Sequence, residues 1–138
     1  MKDEYAIREE VPSVGEYRRI RREAGMSDKS EAAATVGLAN GLYSVVAYCG
    51  KEPIGIGRVI GDGGCFFQIV DIAVAPAHQK KGIGHRIMSA LMEWLHANAP
   101  ATAYVSLMAH HGTPAFYARY GFVAAEAPRE AGMYLRIL

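Results

Sequence analysis

Apolar and polar positions change rhythm at Pro76, and that change divides the middle of the chain into a strand and a helix. Residues 66–74, FFQIVDIAV, are rich in β-branched and aromatic side chains and contain neither Gly nor Pro. This composition predicts a strand buried over much of both faces, ended by Pro76. Beyond it, Ile83, Ile87, Leu91, Trp94 and Leu95 recur at three- and four-residue steps. A helix is expected there, with one face on the sheet. Gly82 and Gly84 lie at its start, where the lack of Cβ lets the main chain approach a ligand and turn its N–H groups outward.

The flanking segments read as supports for this unit. Tyr5 to Glu9 is a possible first strand, and Pro12-Ser13 marks entry to a helix from Val14 to Ala24, ended by Gly25. Ser30-Glu31 opens a second helix through Ala32 to Leu38, stopped by Asn40-Gly41. Leu42 to Cys49 and Ile54 to Ile60 predict two strands joined at Gly50-Lys51-Glu52-Pro53, and Asp62-Gly63-Gly64 turns the chain into the Phe66 strand. An antiparallel meander results. After the central helix come a strand at Ala103 to Met108 and a short helix from Thr113 or Pro114 to Tyr120-Gly121. Phe122 to Ala124 and Met133 to Ile137 are expected to pair as a closing hairpin, and no repeat is present.

Composition narrows the class. At 138 residues the chain is expected to be one domain, residues 1–138, with no internal boundary. A net charge of +1 argues against a broad nucleic-acid surface. Met1-Lys2-Asp3-Glu4-Tyr5 lacks the pattern of a signal peptide, and no apolar run approaches about 20 residues. A soluble, cytoplasmic protein without membrane attachment is expected. Cys49 and Cys65 form no Cys-x-x-Cys pair and are read as buried, reduced thiols. Arg18, Arg19, Arg21 and Arg22 alternate with Glu16 and Glu23 and are read as a solvated helix face. No metal-ligand pattern or hydrolase serine elbow is found.

The charges around the glycines carry the chemistry. His78, Lys80, Lys81, His85 and Arg86 crowd the helix start, and no acid occurs between Asp71 and Glu93. Helix N-termini ordinarily favour acids, so a bound anion, best a phosphate or pyrophosphate, accounts for the arrangement. A Walker loop fails because His85 follows Gly84 where a Lys-Ser/Thr pair is needed. A dinucleotide fingerprint is poor because Ile87 stands where a third Gly or Ala belongs. What remains is Gln79-x-x-Gly82-x-Gly84 after a strand ending in Val-Ala-Pro, with Phe116-Tyr117-x-x-x-Gly121-Phe122 downstream. Together these motifs resemble the GCN5-related N-acetyltransferase (GNAT) superfamily, over most of the chain.

The resemblance implies an α/β (α+β) fold. Its mixed, mostly antiparallel sheet would have about six to seven strands and about four helices, with a V-shaped splay at the cofactor strand. It further implies acetyl coenzyme A as co-substrate and no metal. Ile72, Ala73 and Val74 would hold the pantetheine arm; Gln79, Lys80, Lys81, Gly82, Ile83, Gly84 and His85 would hold the pyrophosphate. The Val74 N–H would donate to the thioester oxygen, and Tyr117 matches the general acid that protonates the leaving thiolate. Asp71 stands where the family often places an acid or histidine, either as a base through water or as a structural hydrogen-bond partner. His110 and His111 are alternative bases; around His110 many relatives carry an Asn that helps hold the pantetheine, and here the sequence departs from that pattern. The implied reaction is direct attack by a primary amine in a ternary complex; the acceptor, a small molecule or a peptide or protein amine, is not specified. Helices before the meander would cover the acceptor, and the Met133 to Ile137 edge is a candidate homodimer contact. A catalytically idle acyl-coenzyme A sensor or interaction module is the alternative.

Overall fold

Among the described residues five strands form one mixed sheet in the order β1-β2-β3-β4-β5, with β1 at Tyr5–Glu9, β2 at Tyr43–Cys49, β3 at Glu52–Gly61, β4 at Phe66–Val74 and β5 at Tyr104–Ser106. The first four pair antiparallel, and β5 runs parallel to β4. Helices α1 (Val14–Glu23), α2 (Glu31–Ala39), α3 (Ile83–Asn98) and α4 (Pro114–Ala118) complete the chain. This computed structural model describes residues 4–110, 113–126 and 129–138. It divides into two compact units, Met1–Ser106 and Leu107–Leu138. Among the described residues no helix is long and apolar enough to cross a membrane.

In the first unit, helices cover both faces of the sheet. Tyr17 and Ile20 of α1 and Ala34 and Leu38 of α2 share a core with Val46, Ile56 and Ala73. On the other face α3 buries Ile83, Ile87, Met88, Leu91 and Leu95. Two glycines of β3 permit this close approach: a Cβ at Gly57 would stand 2.4 Å from the Ile87 side chain, and one at Gly55 3.1 Å. Trp94 stacks on Tyr43 with ring centroids 5.3 Å apart and meets Phe67 edge-on.

Strand β4 is covered on both faces, as its composition predicts, but it is not a regular strand. Its burial alternates, with Phe67, Ile69, Asp71 and Ala73 buried and the intervening residues half-buried. Four odd-numbered positions should share one face of a regular strand. They do not: Phe67 packs on Trp94 of α3, whereas Ala73 belongs to the α1/α2 core. A β-bulge between them accounts for the switch. Ile56 pairs with Ala73 but Arg58 with Val70, so Asp71 and Ile72 together oppose Gly57. One extra residue reverses the parity of everything beyond it.

The second unit contains one short helix and no strand among its described residues. The expected closing hairpin is therefore corrected, and the sheet has five strands rather than six or seven. Phe122 to Ala124 form an apolar run and Met133 to Ile137 have apolar alternation, but neither has a ladder. Val123, Met133, Leu135 and Ile137 are highly exposed; alternation marks a strand only where a neighbour pairs with it. The strand expected from Ala103 to Met108 is likewise shorter, Tyr104–Ser106.

Candidate active site

Val74 leads directly into the glycine loop. Ala75 N–H donates to Ile54 O at 2.8 Å, a single 3₁₀ turn spans Pro76–His78, and Gln79 Nε2 reaches back to Val74 O at 2.9 Å. Lys80 and Gly82 then both take left-handed backbone angles, φ +62° and +80°. The Gly82 conformation starts α3 without a side chain to cap it, and the first turn holds no acid. A helix start leaves its first N–H groups without intrahelical acceptors. Here Lys80, Lys81, Gly82 and Arg86 are exposed beside that end, and Gly84 and His85 are half-buried. Ile83 is buried and pins the loop to the core.

Tyr5 fastens this loop from the first strand, a role the linear pattern did not reveal. Its hydroxyl lies 2.8 Å from His78 Nδ1, its carbonyl accepts from both Arg86 Nη atoms at 3.4 Å, and Lys81 Nζ sits 5.9 Å from the ring centroid. The signal lay only in the pairing of a distant N-terminal aromatic with a basic loop. A hollow of about 350 Å³ beside α3 is lined by Ile7, His85, Arg86, Ser89, Ala90 and Glu93. Of the expected cofactor residues it includes His85 alone.

On the β5 side, β4 is paired only over Phe66 to Gln68. The ladder stops before Ile72, Ala73 and Val74, which pair on the other side with β3 through Ala73 and Val74. An extended segment with one edge outside a ladder can take main-chain bonds from an extended ligand.

Asp71 lies at the bulge, with φ +61°. Its carboxylate accepts from the Tyr17 hydroxyl at 2.8 Å and from Arg58 Nε at 2.9 Å on Oδ2, while Oδ1 is held by Arg21. All are buried; Arg21, Arg58 and Asp71 are 5%, 7% and 8% exposed. Arg21 also donates to Ser27 O, and Arg58 to Gly37 O. Burial, reinforced by the Asp71 charge and hydrogen bond, pushes the Tyr17 phenol up to about 12. The solvated-face reading of the arginine run is thus corrected at Arg21. Arg19 bonds Glu16 and Glu23 and Arg22 bonds Asp28 near the surface, but Arg21 turns inward to a carboxylate 50 residues away.

In the second unit, Tyr117 lies on α4 within a half-buried aromatic group. Phe116 meets it edge-on at 5.0 Å between centroids, Phe122 stands 6.4 Å away, and Tyr120 packs on Phe116. Burial raises the Tyr117 phenol above its ordinary value near 10. His110 is exposed and its carbonyl accepts from Thr113; His111 lies outside the described residues. Both cysteines are free, but Cys65 is exposed and Cys49 half-buried, which corrects the expectation of two buried thiols. Cys65 sits in the turn between β3 and β4. Among the described residues no group of His, Cys, Asp or Glu could hold a metal.

The model of the acetyltransferase (GNAT) domain family matches residues 20–134. The chain belongs to this family of acetyltransferases. A protein of unknown function from meticillin-resistant Staphylococcus aureus, described as a probable acetyltransferase, is 38% identical, with TM-score 0.91 over 97% of this chain and 100% of that one. A GNAT-family acetyltransferase from Streptococcus pneumoniae shares the fold at 21% identity, TM-score 0.74, over 98% of each chain. No curated protein matches the chain.

Proposed function

We propose that the protein transfers an acetyl group from acetyl coenzyme A to a primary amine by direct attack in a ternary complex, residues 1–138 working as one domain. The observation that carries this reading is the uncapped, basic start of α3 directly after a strand whose outer edge leaves its ladder. Gln79, Lys80, Lys81, Gly82, Ile83, Gly84 and His85 hold the pyrophosphate. Ile72, Ala73 and Val74 take the pantetheine arm along the main chain, and the Val74 N–H donates to the thioester oxygen. The family match running from 20 to 134 supports one functional domain.

Tyr117 is the general acid in this reading. Attack of the neutral amine on the thioester carbonyl forms a zwitterionic tetrahedral intermediate; its collapse breaks the C–S bond, Tyr117 supplies the proton to the thiolate, and the proton lost from the attached nitrogen returns through water to the Tyr117 phenolate. A phenol raised by burial keeps that proton at neutral pH. Asp71 is not given the base role, because two guanidinium groups and a phenol already occupy both its oxygens. The amine loses its proton to water, so kcat/KM rises with pH as neutral amine accumulates. With the acid held above its ordinary value near 10, no fall from its ionisation follows below about pH 9. A rate that declined with a midpoint under about pH 9 would remove Tyr117 from this role.

The reaction is tested by thiol release from acetyl coenzyme A across a panel of small amines and peptides. Native turnover, reduced about tenfold or more in Tyr117→Phe with cofactor affinity retained, is expected, a loss of about 1.4 kcal/mol in transition-state stabilisation. Tight cofactor binding without thiol release from any amine would overturn it. The reading also keeps a cytoplasmic homodimer meeting at residues 133–137, where Met133, Leu135 and Ile137 are exposed. Sedimentation of the native chain should then give twice the monomer mass, and Leu135→Glu the monomer.

A further inference from the structure

We infer that Arg21 and Arg58 are positioning residues, which act through Asp71 to lock the β4 bulge and thereby set the main chain of Ile72 to Val74. The inference rests on the acetyl-transfer reading for its consequence, but the lock itself can be tested without turnover.

Three observations converge on Asp71. The register places the extra residue of the bulge at Asp71 and Ile72, immediately before the segment that would hold the thioester. Asp71 itself adopts φ +61°, a left-handed conformation that most side chains avoid and that Asp tolerates better than most. Such a conformation persists only where its surroundings over-determine it. Here they do: Tyr17 and Arg21 approach from α1 and Arg58 from β3. These donors are fixed in turn, since Arg21 bonds Ser27 O at 2.7 Å beyond α1 and Arg58 bonds Gly37 O at 3.1 Å on α2. Both arginines also lie near the Tyr17 ring, at 5.8 and 5.6 Å. The bulge is therefore tied to both helices on that face.

Geometry favours this role over simple stabilisation. A salt bridge elsewhere in β4 would strengthen the strand without changing which side chain faces which helix. At Asp71 it holds the residue that reverses parity, so Ala73 reaches the α1/α2 core although Phe67 faces α3. Loss of the lock lets the bulge migrate or relax. Residues 72–74 then misalign and the Gln79 bond to Val74 O shifts with them, while the chain on either side of Gln79 keeps its anchors at Ala75, on Ile54 O, and at His78 and Arg86, on Tyr5. The expected signature is a loss in kcat with little change in the acetyl coenzyme A KM.

The test compares native protein with Arg21→Met, Arg21→Lys and Asp71→Asn, each below its unfolding temperature, by amide hydrogen exchange and by steady-state kinetics. In Arg21→Met, exchange at Ile72, Ala73 and Val74 should accelerate roughly tenfold relative to Phe67 and Ile69. Turnover should fall about tenfold with the cofactor KM within about threefold, and Arg21→Lys should recover part of both. Asp71→Asn keeps a residue that tolerates the left-handed angle but sets an amide N–H₂ against arginine donors and removes the charge both guanidinium groups share, so exchange at residues 72–74 should accelerate as in Arg21→Met. Uniform acceleration along β4, or none, would reduce the cluster to an ordinary buried ion pair. Abolished turnover in Asp71→Asn with unchanged exchange would make Asp71 the base and overturn the lock. If the native chain turned over no amine, the acetyl-transfer reading would fall, and the exchange pattern alone would still decide the lock.

Discussion

Helices α1 and α2 begin with a serine that turns back onto the first turn. Ser13 Oγ accepts from Glu16 N–H at 3.2 Å and Ser30 Oγ from Ala33 N–H at 3.0 Å, and each first turn carries a glutamate. Helix α3 begins with Gly82, which has no hydroxyl or carboxylate to offer, and its neighbours are Lys80, Lys81, His85 and Arg86. The first two starts are closed by the chain itself and serve the fold. The third gathers positive charge where the helix dipole is already positive, which disfavours the empty state by tenths of a kcal/mol per charge. An end left in that condition is suited to an anion supplied from outside.

Closing the third start as the other two are closed should have the largest effect. A Cβ at Gly82 meets nothing within 4 Å but φ there is +80°, so Gly82→Asp adds a carboxylate without a steric clash at Cβ and with some backbone strain, which Asp bears better than most residues. Acetyl coenzyme A affinity should drop about 100-fold, or about 2.7 kcal/mol by calorimetric titration. Opening the closed starts should do the reverse. Ser13→Ala and Ser30→Ala should each lower stability by about 1 kcal/mol in urea unfolding and leave cofactor affinity unchanged.

Salt should separate the two kinds of helix start more gently. Raising ionic strength from about 0.1 M to about 1 M shrinks the Debye length from about 10 Å to about 3 Å. Cofactor affinity should weaken several-fold, while the penalty of Ser30→Ala stays constant. The smallest effect concerns another internally closed turn. Asp62 Oδ1 accepts from the N–H groups of Gly64, Cys65 and Phe66 at 2.8, 2.9 and 3.1 Å. These bonds, Gly64 first, hold its carboxyl below the usual range. Its stabilisation is present above the ordinary value near 3.9 and disappears as pH falls through the depressed folded value. Urea midpoints should therefore show Asp62→Ala weaker than native at pH 7, with the difference closing below about pH 4.

The same contrast explains what the amino-acid order disclosed. Ser13, Ser30, Gly25 and Asn40-Gly41 are local signals, so α1 and α2 fall within a residue or two of their expected limits. β2, β3 and β4 were legible from β-branched runs between glycine turns, and the α3 loop from its spacing of glycines and bases. The bulge was not legible, because register is a relation between β3 and β4 and appears in neither alone. Arg21 was misread for a related reason: its partner is distant in sequence, and its neighbours Arg19 and Arg22 do form surface pairs. Tyr5 was legible only as a strand residue, because His78, Lys81 and Arg86 reach it through the fold and not along the chain. Residues 133–137 kept a strand's alternation without a strand's ladder, and burial, not pattern, decides that case.

The most direct test of the central claim is a titration of ¹⁵N-labelled protein with acetyl coenzyme A, followed by amide shifts. The amides of Ile83, Gly84 and His85 should move most, with those of Glu16 and Ala33 at the capped helix starts unmoved. Saturable binding that left Ile83 to His85 in place would contradict the account.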